Sequence, residues 1–181
     1  MKNAKPSNRQ KSRKVALFGI LSAEALALSF LESLLPDFIP LPASKAGFSN
    51  IVTMFSVSSL GFSYGFAITL FKAVFALITR GLTAFALSFT GGILSLIIMT
   101  LLFKIPENKI SFTGLGIVSS VFHNAGQLIA SYIILGKYVL GLAPYLFVTA
   151  VITGALTGTI YKYTVGLFNK QKKSVINTHK E

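Results

Sequence analysis

Apolar residues in this chain fall in long blocks separated by short polar or glycine-containing breaks, rather than alternating with polar ones. Blocks of about 20 apolar residues are long enough to cross the hydrocarbon of a bilayer as helices. The pattern predicts a first span from about Val15 to Leu34 and a second from about Asn50 to Gly61. A third follows from about Tyr64 to Ile78, closed by Arg80-Gly81, and a fourth over about Leu82 to Phe103. After the polar stretch KIPENK at 104–109, a fifth span covers about Phe112 to Leu135, and Gly136-Lys137 turns into a sixth over about Leu142 to Phe168. Spans two and three are short, so the pair is also readable as one long kinked hairpin or as containing a re-entrant segment. Residues 35–49 form a Pro-rich but largely apolar loop. The expected fold is an all-α integral membrane bundle of six transmembrane helices. Residues 1–14 form a basic tail, 15–168 the membrane domain, and 169–181 a second basic tail.

Composition strengthens this reading. Hydrophobic residues make up 52% of the chain and charged residues 12%, about half the charge of an ordinary soluble domain, which is too little to cover a water-facing surface. Charge placement then orients the bundle. With six spans and an inside N-terminus, twelve of the 17 basic residues fall on inside segments. Lys45, Arg80 and Lys137 fall outside, and Lys72 and Lys162 lie within spans. A five-span arrangement would put one basic end outside, against the positive-inside rule. The expectation is a multi-pass protein of the bacterial cytoplasmic membrane with both termini inside. The net charge of +12 therefore reads as contact with anionic membrane lipid, not nucleic acid, since no aromatic residues interleave with the basic tails. Ala25-Leu26-Ala27 imitates a signal-peptide cleavage site, but Glu24 precedes it and the apolar run continues beyond, so retention is expected.

Polar residues inside spans are costly and mark contacts or function. Glu24 lies about nine residues into span one, roughly 13 Å deep at 1.5 Å per residue. Lys72 lies at a similar depth in span three, which suggests a Glu24–Lys72 ion pair. Gly19, Ala23 and Ala27 form a small-residue stripe that suits helix docking, within this chain or against another subunit. In span five, His123, Asn124 and Gln127 share one side of the helix through i+3 and i+4 spacing, and they form the densest polar patch of the chain. In span four, Ser88 and Thr90 precede Gly91-Gly92, where the thin backbone allows close approach. Glu32 belongs at the outer edge, next to the Pro36, Pro40 and Pro42 loop, which is placed to fold over a cavity mouth. Candidate ligand contacts are Glu32, Asn50, Lys72, Ser88, Thr90, His123, Asn124 and Gln127.

Catalytic inventories come up short. The chain has no Cys, five carboxylates of which Asp37 is the sole Asp, and only His123 and His179 as histidines. No Walker P-loop and no His-rich or acid-rich metal motif is present, so no cofactor is expected and an enzyme is disfavoured.

The stretches AEALALSFLESLLP, GFSNIVT, FKAVFALITRG, SFTGGILSLIIM and FHNAGQLIASYIIL resemble, in order, a family known both as Gx transporter and as heptaprenyl diphosphate synthase component I. HNAGQ and SFTGGxxS are the most specific of these. The family tends to have Arg where this chain has Lys72, and a Gly-Leu-Ala-Asn-like run where it has GFSN. It is similar to the S components of energy-coupling factor transporters. That resemblance implies a six-helix subunit that captures a vitamin-like ligand from outside and docks a membrane coupling subunit through Ala23 and Ala27. Separate cytoplasmic ATPases would supply the energy. The synthase name implies instead a non-catalytic membrane partner of an isoprenoid or quinone enzyme, since one Asp cannot supply the aspartate-rich motifs of a prenyl synthase. Relatives are also associated with flavin- or quinone-linked extracellular electron transfer.

Overall fold

Single glycines separate three consecutive helices of the bundle. Gly61 (φ 99°) and Gly81 (φ 87°) each stand alone between two helices. Both backbones occupy a positive-φ region that a Cβ disfavours, so one residue suffices to end a helix and start the next. The computed structural model describes residues 8–34, 47–106 and 110–178, with only the backbone path for 168–178. The helices are α1 (Asn8–Leu34), α2 (Asn50–Leu60), α3 (Phe62–Arg80), α4 (Leu82–Leu102), α5 (Phe112–Leu135) and α6 (Ala143–Thr178). A 3₁₀ segment, Lys137–Leu142, links the last two. The Ser111 hydroxyl caps α5 by accepting from the Gly114 N–H at 3.0 Å.

Among the described residues the six expected helices are present, and five of them are long and apolar enough to cross a membrane. The exception is α2. Its 11 residues rise about 16 Å, roughly half of the hydrocarbon thickness. The doubtful pair in the sequence thus resolves into one half-length helix followed by one full-length helix. α1 begins before the expected boundary at 15 and α6 continues past 168, so both helices run on into the basic tails. The Pro-rich segment 35–46, including Pro36, Asp37, Pro40 and Pro42, lies outside the described residues, as do Glu107 and Lys109.

Helix α2 sits in the middle of the bundle, touching α1, α3, α4 and α6. Helix α5 lies between α4 and α6, held at both faces by glycines. A Cβ on Gly126 would come within 2.7 Å of Gly91 Cα on α4. One on Gly158 of α6 would meet Thr113 Cα of α5 at 2.7 Å, and Gly116 abuts Gly154 in the same seam. Missing side chains let these backbones touch, which is how helices associate where no water is available to drive them together. Hydroxyls tie the same seams: Thr90 Oγ1 donates to Gly126 O at 3.1 Å, and the Ser95 and Ser119 hydroxyls bond at 2.8 Å.

The bundle has unlike ends. At the end where α2 turns into α3, the Tyr161 ring meets Phe55, Phe103 and Phe112. Met54, Val57, Leu96, Met99 and Leu115 complete that cluster, an apolar plug. The outward faces of the long helices are apolar, with Ile78, Ile133 and Ile152 each more than half exposed. So large an apolar exterior requires lipid, and the chain is a multi-pass membrane protein.

The glycine seams make a direct prediction. Gly126→Val should destabilise the protein by about 2 kcal/mol or more through forced separation of α4 and α5. Gly166→Ala, where nothing lies within 4 Å of an added Cβ, should leave stability unchanged or slightly higher. Thermal unfolding of both variants in detergent micelles measures the contrast.

Candidate functional site

Because α2 is only half-length, the space beyond its N-terminus is left as a cleft at the end opposite the aromatic plug. Its walls are Ser29 and Glu32 of α1, Gly47 and Ser49 before α2, Lys72 and Arg80 of α3, Ser88 of α4, and His123 and Gln127 of α5. The space among them that can hold the centres of water-sized molecules is about 20 Å³, and about 320 Å³ is empty when open solvent is counted.

A polar network across three helices organises this cleft. Asn50 and Lys72 are equally distant in sequence from Gly61, so the α2–α3 hairpin sets them face to face. Lys72 Nζ donates to Asn50 Oδ1 at 2.9 Å. One residue earlier, the Ser49 N–H donates to Glu32 Oε1 at 3.1 Å and its hydroxyl to Oε2 at 3.4 Å. The Glu32 carboxylate thereby sits at the start of α2, where the helix dipole favours negative charge, and it also attracts the Lys72 ammonium. All four residues are buried. Such charges are tolerable away from water only with these partners.

On the facing wall, His123 Nε2 and Gln127 Nε2 lie 3.2 Å apart, one turn along α5. His123 also packs against Gly91 of α4 and Gly47. Among the described residues, Gln127 Oε1 is buried without a hydrogen-bond partner, while the His123 ring lies against the Gly91 backbone of α4. Leaving such an atom unpaired costs on the order of 1–3 kcal/mol.

Five of the expected ligand contacts therefore meet at one cleft: Glu32, Lys72, Ser88, His123 and Gln127. Asn50 stands behind Lys72 as its acceptor. Two others turn elsewhere. Thr90 spends its hydroxyl on the Ala86 and Gly126 carbonyls, and Asn124 Nδ2 donates to Leu146 O of α6 at 2.9 Å. The expected Glu24–Lys72 pair is not formed. Glu24 is on the exposed side of α1 while Lys72 points into the bundle, where its carboxylate neighbour is Glu32, two turns further along α1. Gly19, Ala23 and Ala27 are on that same exposed side, so this stripe is not consumed by packing within the chain. Ser29, Gly47, Ser49 and Arg80 complete the cleft and were not anticipated. The i, i+3 spacing of Ser29 and Glu32 was an available signal, whereas Arg80 read as a loop residue. Among the described residues, no three His, Asp or Glu side chains gather as a metal site.

Fold and cleft together define a helical membrane protein with a polar cavity toward one end of the bundle and an apolar plug toward the other. Residues 21–164 match the family described as heptaprenyl diphosphate synthase component I, and the chain belongs to it. In fold it is similar to a solved structure, the S component of a bacterial ECF transporter. The TM-score is 0.59 at 18% identity, covering 92% of this chain and 99% of that one. No curated protein sequence matches the chain.

The network predicts that Asn50→Leu, which strips Lys72 of its acceptor, costs about 1.5–3 kcal/mol, as for other hydrogen bonds to charged groups. Asn50→Asp should retain most of the stability. Chemical denaturation in micelles, followed by the near-UV signal of the tyrosines, reads the difference.

Proposed function

We propose that the chain is the substrate-binding subunit of a membrane transporter, S-component-like, for a small vitamin-, flavin- or quinone/isoprenoid-related molecule. It sits in the bacterial cytoplasmic membrane with both termini inside, as the distribution of basic residues favours. The one observation that carries the reading is the polar cleft toward one end of the bundle, in which Gln127 Oε1 is buried without a partner among the described residues while Tyr161 and its apolar neighbours close the far end. A cavity that opens to one side only, at mid-bundle depth, suits capture of a ligand before its transfer. On this reading the basic N-terminal start of α1 is inside, so the cleft faces out.

The sequence carries no P-loop of its own, so energy would come from separate ATPase subunits through a membrane coupling subunit. The exposed Gly19, Ala23 and Ala27 face is the proposed docking site. Prenyl transfer is not proposed: the cleft holds one carboxylate among the described residues, and it is already bound by Ser49. The family's name supports a second reading, a non-catalytic membrane partner of an isoprenoid or quinone enzyme or of an electron-transfer system.

Two measurements separate these. The protein isolated from its host membrane should release a small molecule on denaturation, detectable by mass spectrometry, and His123→Ala should lower its retention at least tenfold. Ala23→Trp together with Ala27→Trp should abolish uptake while the ligand is still bound. If no small molecule is retained and pull-down recovers a prenyl or redox enzyme instead of an ATPase module, the transport reading fails.

A further inference from the structure

Two glycines shape the space around one polar pair of the cleft. A Cβ on Gly91 of α4 would meet Gln127 Cγ at 3.0 Å and His123 Cε1 at 3.1 Å, and one on Gly47 would meet His123 Cδ2 at 3.7 Å. The imidazole is therefore held between α4 and the segment before α2, with its Nδ1 side turned to the Gly91 backbone. A backbone carbonyl beside Nδ1 keeps the ring proton on that nitrogen and leaves Nε2 as an acceptor. Gln127 Nε2, 3.2 Å away, donates to it. This orients the whole amide: its nitrogen end is committed to His123, and its carbonyl end is left over. Gln127 Oε1 is buried without a hydrogen-bond partner among the described residues. The residue is 3% exposed and lines the cleft, one turn further along α5 than His123 and so further from the plug at Phe112.

We infer that the molecule bound in this cleft carries a neutral hydrogen-bond donor, an amide N–H or a hydroxyl, that meets Gln127 Oε1. This rests on the binding-subunit reading and specifies the chemistry of its ligand. An acceptor held in place by its own amide partner, with the imidazole fixed behind it, is set before anything binds, which lowers the ordering cost of binding. It also selects. A molecule of the same shape without the donor would leave the carbonyl unpaired in a site closed to water, and such sites reject that analogue strongly. A charged donor suits the place less, because one amide carbonyl does not repay the hydration that an ammonium gives up. The space for water-sized centres is about 20 Å³, room for one small polar group. The donor therefore sits at a compact end of the ligand, with the bulk of the molecule toward the mouth.

The test uses the full chain, washed until denaturation releases no small molecule, in nanodiscs of zwitterionic lipid. N-methylacetamide and N,N-dimethylacetamide are added at equal concentration, and the melting temperature is followed. Both offer the same carbonyl acceptor, and the first alone has an N–H. The melting temperature should be higher with N-methylacetamide by on the order of 2 °C. Gln127→Met, which keeps an unbranched side chain but has no carbonyl, should lose that difference. If Gln127→Met fails to fold, the wild-type protein labelled with ¹³C at the glutamine side-chain carbonyl decides. Its infrared band should move to lower frequency with N-methylacetamide and stay in place with the dimethyl compound. Gln10 and Gln171, the other glutamines, lie in the tails and respond to neither.

Equal melting temperatures with the two amides in the wild-type protein would overturn the proposal, since water or the chain itself would then serve the carbonyl. A difference that persists in Gln127→Met would also overturn it, as binding of an adventitious additive only. A molecule retained from the host membrane that has neither N–H nor O–H sinks this proposal and leaves the binding-subunit reading standing. A donor-specific response in a protein that supports no uptake does the reverse.

Discussion

The structure is organised around one constraint, the need to keep the Lys72 ammonium satisfied away from water. A buried cation in a membrane bundle must find oxygen partners. Here they come from the start of α2: Asn50 directly, and Glu32 through the Ser49 that immediately precedes the helix. The hairpin about Gly61 fixes the register that makes this possible. Shifting α2 by one residue along α3 would turn Asn50 about 100° around its helix, away from the lysine. The half-length of α2 follows from the same arrangement, since its N-terminus must lie at the depth of Lys72, in the interior.

Shape follows from two different kinds of packing. Glycine seams bring α4, α5 and α6 so close that no room for a ligand remains between them below the level of Gly126. The aromatic cluster at Tyr161 closes the far end by bulk. Among the described residues, a cleft atom without a partner occurs where neither device reaches, at Gln127 Oε1. The cleft is thus bounded by backbone contact on one side and by a charge network on the other. Neither would be expected to yield much when a ligand arrives, which leaves the α1 side as the adaptable wall.

How much of this was legible in the chain depends on the range of the interaction. Span positions were, because hydropathy acts over about 20 consecutive residues. The α5 bounds follow directly from Phe112 and Gly136. The shortness of α2 was visible as the brief run between Asn50 and Gly61. What hydropathy could not supply was rotation of each helix about its axis. Glu24 and Glu32 are both carboxylates of α1, and depth alone favoured Glu24 as the partner of Lys72. They differ in facing: Glu32 shares the buried face of Leu21, Ala25 and Ser29, whereas Glu24 does not. The same limit applies to Asn124. It is adjacent to His123 in sequence, yet about 100° further round α5 it meets the first turn of α6 and the Leu146 carbonyl instead of the cleft.

The two faces of α1 suggest how binding and docking would communicate on the proposed reading. Its inward face carries Ser29 and Glu32 to the cleft, and its outward face carries Gly19, Ala23 and Ala27. Between α1 and the bundle lie Leu21, Ala25, Val52 and Ile68, with Phe18 against Tyr64 and Phe71, a surface of small and aromatic contacts without the glycine interlock of the α4–α5–α6 seams. Sliding of packed helices needs such a smooth interface. One polar link from α1 to the ligand side runs from Glu32 to Ser49, so a shift of α1 would strain the contacts at the start of α2. A partner that grips the outward face would therefore act on the cleft through a single rigid helix, and a ligand that draws Glu32 and Ser49 together would in turn set the position of the surface the partner meets.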